Sequence, residues 1–272
     1  MIPIVFDDCL ENPVKKHIRF GEYYHWGPRI LEFLDTSRFM YEFGPPDENR
    51  LVGIDVFVPL CVSDIRALYA ASGALSAKAL FPTRDLLELA DNKIHFYQYL
   101  NAHGFGSNVP QIIETPTHYP IVAKADFGFN GEGVWILQDD NQLAALLNTP
   151  RRERIVLSEY IPGSREYAFH FLAKHGKILW SGVVEHDHST ADDTPYVRGQ
   201  NGADGTSKTS GEFSELRVLY EIIEKLGFTG TGCFDFKVLD GTLKIFELNP
   251  RPGYSIAFWI NQYLNALVAH LA

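Results

Sequence analysis

The sequence is poor in cysteine and has no excess of basic residues. Its three cysteines, Cys9, Cys61 and Cys233, lie far apart and form no C-x-x-C pair. This spacing argues against a disulfide framework or a zinc site and favours a reducing, cytoplasmic environment. Lys and Arg number 24 against 34 Asp and Glu. We therefore expect no extended nucleic-acid surface, because such a surface needs clustered cations.

Long hydrophobic runs are also absent. No apolar stretch reaches the roughly 18 residues of a membrane span, and we expect no membrane partner. The N-terminal MIPIVFDDCLE has no basic region, and its apolar run is too short for a signal peptide. The 272 residues are enough for one large domain or for two to three small ones.

The first 80 residues read as alternating strands and helices and predict a small open α/β unit. IPIVF and VGIDVFVPL have strand patterns, and GPRILEFLDT has a helical one. No G-x-G-x-x-G occurs in this region, so a dinucleotide site has no support. TRDLLELADNKIHFYQYLNAHGFG then predicts two helices, and the remaining chain alternates β-hairpins with helices.

A polar segment, 185–211, interrupts this pattern and is rich in Gly, Ser, Thr and Asp. It predicts a long loop, which in a compact domain is usually functional or disordered. His186 and His188 are interpreted as solvated loop histidines, with a metal site as the alternative.

The segment FDFKVLDGTLKIFELNPRPG predicts a β-hairpin around Asp-Gly, a common turn signal. Glu247 and Asn249 alternate along the second strand and therefore share a face. Asp235 joins them only with the right register, because a one-residue slip flips every side chain. A functional site requires a three-residue loop with a bulge at Gly241, which pairs Asp235 with Ile245.

In that register the apolar side chains lie together on the opposite face. They are Phe234, Phe236, Val238, Phe246 and Leu248. Two carboxylates and an amide oxygen on the polar face would suit Mg²⁺, which is usually held by one or two carboxylates plus substrate phosphates. The solvated face of an edge hairpin is the alternative, and the spacing alone leaves both open.

Three further segments could contact a nucleotide. In AKADFGFNGEGV, Lys124 adjoins a glycine loop whose N–H groups could wrap phosphate oxygens, although an ordinary hairpin turn has the same pattern. In LSEYIPGSREYAF, Glu159 and Glu166 flank a Pro-Gly turn and could accept bonds from ribose or adenine; two surface glutamates are the alternative. Lys93 opens a helix, where a cation opposes the helix dipole. A phosphate partner or solvent exposure would account for it.

These four segments, in this order, resemble the ATP-grasp superfamily from about Val52 to the C-terminus. The most specific piece, TGTGCFDFKVLDGTLKIFELNPRPG, is similar to the family's metal-binding hairpin. The resemblance implies an α/β (α+β) ATP-grasp fold, with two α+β subdomains gripping ATP after a small open α/β N-terminal domain. The implied bounds are 1–82 for the N-terminal domain, 83–160 for the lid subdomain and 161–272 for the catalytic subdomain.

The resemblance also implies a role for each matched residue. The groups around the ATP phosphates are Lys93, Lys124 and the loop of Gly128, Gly131 and Gly133. The adenine and ribose contacts are Glu159, Tyr160, Ile161 and Glu166. The ligands of Mg²⁺, or alternatively Mn²⁺, are Asp235, Glu247 and Asn249. The catalytic residues are Arg251, Asn249 and Lys124, with Arg251 facing the acyl-phosphate or the substrate carboxylate. Some relatives have an arginine where this chain has Cys233.

The activity implied is that of an ATP-dependent, ADP-forming ligase that joins a carboxylate to an amine through an acyl-phosphate. Its implied partners are ATP and small carboxylate and amine substrates such as amino acids or peptides, and the family suggests a homodimer. Two alternatives stay open. One is another acceptor, such as a thiol, bicarbonate or simple phosphotransfer, and the other is a non-catalytic nucleotide-binding protein.

Overall fold

The structure is a computed structural model that describes residues 15–21, 26–47, 53–71, 73–125, 133–149, 154–188 and 206–271. The strands are β1 (Lys16–Phe20), β2 (Phe39–Phe43), β3 (Val56–Val58), β4 (Ile121–Ala125), β5 (Val134–Leu137), β6 (Ile155–Glu159), β7 (Arg165–Lys174), β8 (Lys177–Asp187), β9 (Thr206–Ser210), β10 (Gly230–Leu239) and β11 (Thr242–Asn249). The α-helices are α1 (Gly27–Phe33), α2 (Val62–Leu68), α3 (Gly73–Ser76), α4 (Arg84–Asp91), α5 (Lys93–Ala102), α6 (Asp140–Asn148), α7 (Arg217–Leu226) and α8 (Ile260–Leu271).

The N-terminal part is built on a parallel sheet of strand order β2-β1-β3. Apolar side chains of this sheet, such as Ile18 and Val56, share one core with Tyr263 and Leu264 of α8. The C-terminal helix therefore covers the N-terminal sheet. This arrangement agrees with the predicted α/β unit, whereas the predicted strand IPIVF lies outside the described residues.

A second three-stranded sheet, antiparallel and of order β5-β4-β6, carries α6. Its small core joins Ile121 and Ala123 of β4 to Leu137 and Leu146. The alternation of β4 leaves Val122 and Lys124 on the other face, where both line a cleft. The two predicted strands and the helix that follows them are confirmed, whereas residues 126–132 of the predicted loop lie outside the described residues.

The largest sheet is five-stranded and antiparallel, with order β11-β10-β7-β8-β9. One face packs its aromatic residues, among them Phe169, Phe171, Phe234 and Phe236, against α4, α5 and α7. Alternation turns polar side chains of the same strands to the opposite face. α7 ends as predicted at Gly227, whose φ of 58° is left-handed.

The domain bounds 1–82, 83–160 and 161–272 stay a prediction. α4 and α5 fall within the predicted lid subdomain, yet Leu86 of α4 and Phe96 of α5 pack into the core of the five-stranded sheet. Every helix in the described ranges is too short or too polar to cross a lipid bilayer.

The polar segment is partly folded, which corrects the prediction of one long loop. β8 runs to Asp187, and β9 pairs with its end in antiparallel register. His186 and His188 are 9% and 6% exposed, and His186 Nδ1 lies 2.7 Å from Ser207 Oγ. Their interpretation as solvated loop histidines is wrong, because both side chains are buried and His186 lies in the part of β8 that pairs with β9. Residues 189–205 lie outside the described ranges.

Candidate active site

The hairpin of β10 and β11 turns through two residues rather than three. Leu239 pairs with Thr242, and the turn residues Asp240 and Gly241 have φ values of 50° and 73°. Both values lie in the left-handed region, as a two-residue type I′ turn requires. The predicted three-residue loop with a bulge at Gly241 is therefore wrong.

The register shifts instead inside β11, at Phe246. Phe236 pairs with Ile245 whereas Asp235 pairs with Glu247, so Phe246 is the extra residue of a β-bulge. The predicted pairing of Asp235 with Ile245 is wrong. The predicted apolar-face position of Phe246 is also wrong, since this ring lines the cleft. Asp235 and Glu247 nevertheless share a face, because residues directly opposite on paired strands point the same way.

Asn249 joins the two carboxylates. Its Nδ2 donates to Asp235 Oδ2 at 3.1 Å and to Glu247 Oε1 at 3.0 Å. The three residues predicted as metal ligands therefore converge on one point of the cleft face.

The donor chemistry of this cluster fits Mg²⁺ or Mn²⁺. Two carboxylates are the usual protein share of a magnesium site, with substrate phosphates and water completing the shell. A half-turn of the Asn249 amide would direct its oxygen to the same point. Within the described ranges, no group of three or more His, Cys, Asp or Glu side chains offers another metal centre.

Lys93 is placed at this cluster by the start of α5. The helix begins there because Asn92 caps it, and Asn92 Oδ1 accepts the N–H of His95 at 3.0 Å. Lys93 Nζ then forms an ion pair with Glu247 Oε2 at 3.1 Å. The carboxylate offsets the unfavourable position of a cation at a helix N-terminus.

The charged groups of the cluster shift one another's pKa values. Burial by itself would raise the pKa of Glu247, but Lys93, the amide of Asn249 and Lys124 outweigh burial and lower that pKa to about 2. Burial lowers the pKa of Lys124 to about 8, although Glu247 acts in the opposite direction. The carboxylate is thus ionised at neutral pH beside a poorly solvated ammonium group.

Tyr97 contacts the bulge and was not predicted as a site residue. Its hydroxyl donates to the carbonyl of Phe246 at 2.8 Å and accepts from Lys124 Nζ at 3.4 Å. Burial raises the pKa of Tyr97, so the hydroxyl stays protonated and able to donate. One signal was available: Tyr97 lies four residues after Lys93 on the same helix and therefore shares its face.

We expect Tyr97→Phe to lower the free energy of unfolding by about 1–2 kcal/mol, because the buried Phe246 carbonyl loses its donor. Urea unfolding measures this change. Tyr99→Phe is the matched control, since the Tyr99 hydroxyl makes a longer, exposed bond of 3.4 Å to the Lys225 carbonyl. Equal effects of the two substitutions would contradict a role for Tyr97 in holding the bulge.

The cleft lies between the β4–β5 hairpin and the polar face of the five-stranded sheet. Its apolar lining is Pro110, Val122, Val134, Ile136, Ile161 and Phe246. Its charged lining is Lys93, Lys124, Glu159, Glu166, Asp235, Lys237 and Glu247. Apolar walls with a few convergent polar groups are the usual composition of a ligand site.

The hinge segment, residues 159–163, begins at the last residue of β6 and lines this cleft through Glu159, Tyr160 and Ile161. Glu159 Oε1 accepts from Lys244 Nζ and from the N–H of Gln111, both at 3.1 Å. One oxygen of this predicted adenine contact is therefore already bonded within the protein.

Lys237 is a second residue that the sequence analysis missed. It is 3% exposed, and its Nζ donates to the carbonyls of Ile161 at 3.1 Å and Gly163 at 2.6 Å. Burial lowers its pKa, and the nearby Glu166 raises it. The available signal was its position two residues after Asp235, which places both on one face of the strand.

Arg251 is not among the residues that line the cleft. Its Nη1 donates to the carbonyl of Pro252 at 2.8 Å, and its guanidinium carbon is 6.0 Å from the ring centroid of Trp26. Arg251 forms no ion pair with any residue in the described part of the chain. Its charge therefore faces the N-terminal unit, and no carboxylate among the described residues pairs with it.

The glycine loop is described only at its end. Gly133 has a φ of 71°, and its carbonyl accepts the N–H of Ala125 at 2.7 Å. This bond extends the pairing of β4 with β5. Gly128 and Gly131 lie outside the described residues, so their role at the phosphates stays a prediction.

Comparison with known proteins shows which family has this sequence. The model of the ATP-grasp domain family matches residues 90–255, more than half of the chain. The chain belongs to the ATP-grasp family. The resemblance seen in the sequence and the α/β ATP-grasp fold are thereby confirmed.

Individual relatives of this ATP-grasp chain are distant. A D-alanine–D-alanine ligase of Pediococcus pentosaceus is 25% identical over 241 residues, which cover 84% of this chain and 64% of that protein. An arginine-specific carbamoyl phosphate synthase large chain of Geobacillus stearothermophilus is 21% identical over 190 residues, which cover 64% of this chain and 17% of that protein. The chain thus spans less than two thirds of the length of either relative.

A solved structure supports the same fold. The VanG D-Ala:D-Ser ligase of Enterococcus faecalis superposes with a TM-score of 0.63 at 14% identity, covering 95% of this chain and all of that one.

Proposed function

We propose that this protein is an ATP- and Mg²⁺-dependent carboxylate–amine ligase that forms an amide or peptide bond and releases ADP and phosphate. The observation that carries the proposal is the convergence of Lys93, Asp235, Glu247 and Asn249 in one cleft of an ATP-grasp chain. Two carboxylates and an amide suit a magnesium ion, and the neighbouring cations suit phosphate.

The nucleotide is proposed to lie with its base against the apolar walls of the cleft. Tyr160 and Ile161 would contact adenine partly through the backbone, and Glu166, which is 9% exposed in the cleft, would accept from the ribose. Lys93 and Lys124 would face the phosphates. This placement puts the base beside the apolar lining and the phosphates beside the lysines. The base needs apolar contact, and the phosphates need positive charge.

One divalent ion held by Asp235, Glu247 and Asn249 would neutralise charge on the terminal phosphates. The protein's own contribution to phosphoryl transfer is positioning and electrostatic stabilisation. Lys124 is poorly solvated, so its ammonium group would act on a phosphate oxygen with less competition from water. The proposed reaction requires no nucleophilic serine or cysteine, because the substrates supply both nucleophiles.

The proposed chemistry has two steps. A carboxylate oxygen attacks the γ-phosphorus, the bond from that phosphorus to the β–γ bridging oxygen breaks, and ADP leaves. The neutral amine nitrogen then attacks the acyl carbon and loses a proton to solvent, and phosphate leaves with one oxygen of the original carboxylate. Arg251, which forms no ion pair with the described residues, would bind the substrate carboxylate and later stabilise the oxyanion.

Amino acids or short peptides are the proposed substrates. Two similar proteins are a D-alanine–D-alanine ligase and a D-Ala:D-Ser ligase by name, and both names describe the joining of amino acids. A homodimer is proposed from family membership alone, and light scattering would test it.

The test of the reaction is to screen pools of amino acids for ADP release and to trap the intermediate with hydroxylamine. We expect a hydroxamate to form only when the true carboxylate is present, because hydroxylamine is a strong small nucleophile. With ¹⁸O in the carboxylate, one label should appear in the released phosphate. AMP as product, or unlabelled phosphate during confirmed ligation, would refute the acyl-phosphate route. ATP binding without turnover against any pool would favour a non-catalytic nucleotide-binding protein.

A further inference from the structure

Two lysines lie directly opposite each other on the hairpin that carries the metal cluster. Lys237 of β10 pairs with Lys244 of β11, so their side chains share the cleft face of the sheet. Like charges in this position repel and destabilise a sheet. Each lysine therefore needs a strong partner of its own.

Both partners belong to the hinge segment. Lys237 Nζ donates to the carbonyls of Ile161 and Gly163 at 3.1 and 2.6 Å, and Lys244 Nζ lies 3.1 Å from Glu159 Oε1. The Lys237 side chain thus extends from β10 to the main chain of the hinge segment, and it is nearly inaccessible to solvent. Hydrogen bonds from an ammonium group are stronger than neutral ones.

These contacts decide which groups the hinge can offer to a base. Lys237 occupies the carbonyl of Ile161, whereas the N–H of Ile161 makes no hydrogen bond within the described residues. At this point the hinge presents a donor. Adenine has an acceptor at ring nitrogen N1, while hypoxanthine and guanine have an N–H there.

We propose that Lys237 and Lys244 form a clamp that positions the hinge and thereby sets both the affinity for the nucleotide base and the preference for adenine. The inference rests on the proposed function, because it assumes that the cleft binds a nucleotide. Both lysines are positioning residues: they act on the base through the hinge. In a base with N–H at N1, two donors would face each other, the N1–H and the Ile161 N–H. Neither would have an acceptor, and an unpaired donor in a buried site weakens binding.

Titration calorimetry with Mg²⁺·ADP and Mg²⁺·IDP tests the clamp without any knowledge of the ligase substrates. We expect the natural protein to bind ADP more tightly than IDP. Lys237→Met should weaken ADP binding about tenfold, because the hinge N–H loses its fixed position. IDP binding should fall by less, because the freed Ile161 carbonyl can accept the N1–H of hypoxanthine. The ratio of the two dissociation constants should therefore move toward one.

Lys177→Met is the matched control. Lys177 pairs with Lys174 across the turn of the β7–β8 hairpin, but both are exposed and remote from the cleft lining. This variant should leave both affinities and their ratio unchanged.

The outcomes separate the clamp from the proposed function. If the natural protein binds no ADP, the proposed function itself fails. If it binds ADP and Lys237→Met leaves the ratio unchanged, or weakens ADP and IDP equally, the clamp is refuted and the nucleotide site stands. If Lys237→Met does not fold, Lys244→Met decides. Its side chain is 18% exposed and Glu159 keeps the Gln111 N–H, so a smaller shift of the ratio is expected and no shift refutes the clamp.

Discussion

Glu247→Gln is expected to reduce ligase turnover by about a hundredfold or more, because it removes one of two formal charges from the proposed magnesium site, and a bound metal supplies several kcal/mol of charge stabilisation. The substitution preserves the volume of the side chain. It also removes the partner of Lys93. Initial rates measured across a Mg²⁺ titration should show both a lower maximum and a higher half-saturating Mg²⁺ concentration.

The stability of this variant provides a separate check. The pKa of Glu247 lies well below its usual range in the folded protein, so the carboxylate stabilises the fold at neutral pH, and this contribution is lost as pH falls toward 2. We therefore expect a lower melting temperature for Glu247→Gln. Glu221→Gln, which breaks the exposed pair with Arg217, should change neither turnover nor Mg²⁺ dependence. An unchanged Mg²⁺ dependence in Glu247→Gln would contradict the metal assignment.

The sequence predicted which residues of the hairpin share a face but not the geometry that brings them together. Alternation along a strand is a local property, so Glu247 and Asn249 could be paired from their spacing alone. The Phe246 carbonyl at the bulge accepts the hydroxyl of Tyr97, which lies 149 residues away in the chain. No local pattern encodes such a contact.

The contacts of the hinge segment were not predicted for the same reason, because they also join residues that are far apart in the sequence. Lys237 and Lys244 have the pattern of polar residues on a half-solvated strand, and only the folded chain shows that Ile161 and Glu159 lie within their reach.

The wrong prediction for His186 and His188 has a related cause. β9 contains only Ser, Thr and Lys and has no apolar alternation, so its pairing with β8 gave no signal in the sequence.

Lys124→Met is expected to weaken ATP binding about 10- to 100-fold, because one charge-assisted bond to a phosphate is lost while the apolar stem of the side chain is replaced. Titration calorimetry with a non-hydrolysable ATP analogue measures this loss. Lys177→Met, at an exposed position, serves as the control and should bind the analogue as the natural protein does. Unchanged affinity in Lys124→Met would exclude a phosphate contact at this residue.

The pH dependence of stability should also differ between the natural protein and Lys124→Met. Folding lowers the pKa of Lys124 from 10.5 to about 8, chiefly through burial. Between these two values the unfolded chain binds the proton and the folded chain does not, so the contribution of Lys124 to the free energy of unfolding rises with pH, by at most about 1.4 kcal/mol per pH unit. Below that window the buried ammonium opposes folding, and methionine at this position should stabilise the protein. Urea unfolding of both proteins, below and within the window, should show the advantage of Lys124→Met shrinking as pH rises. A stability difference that stays constant with pH would mean that Lys124 is well solvated in the folded protein.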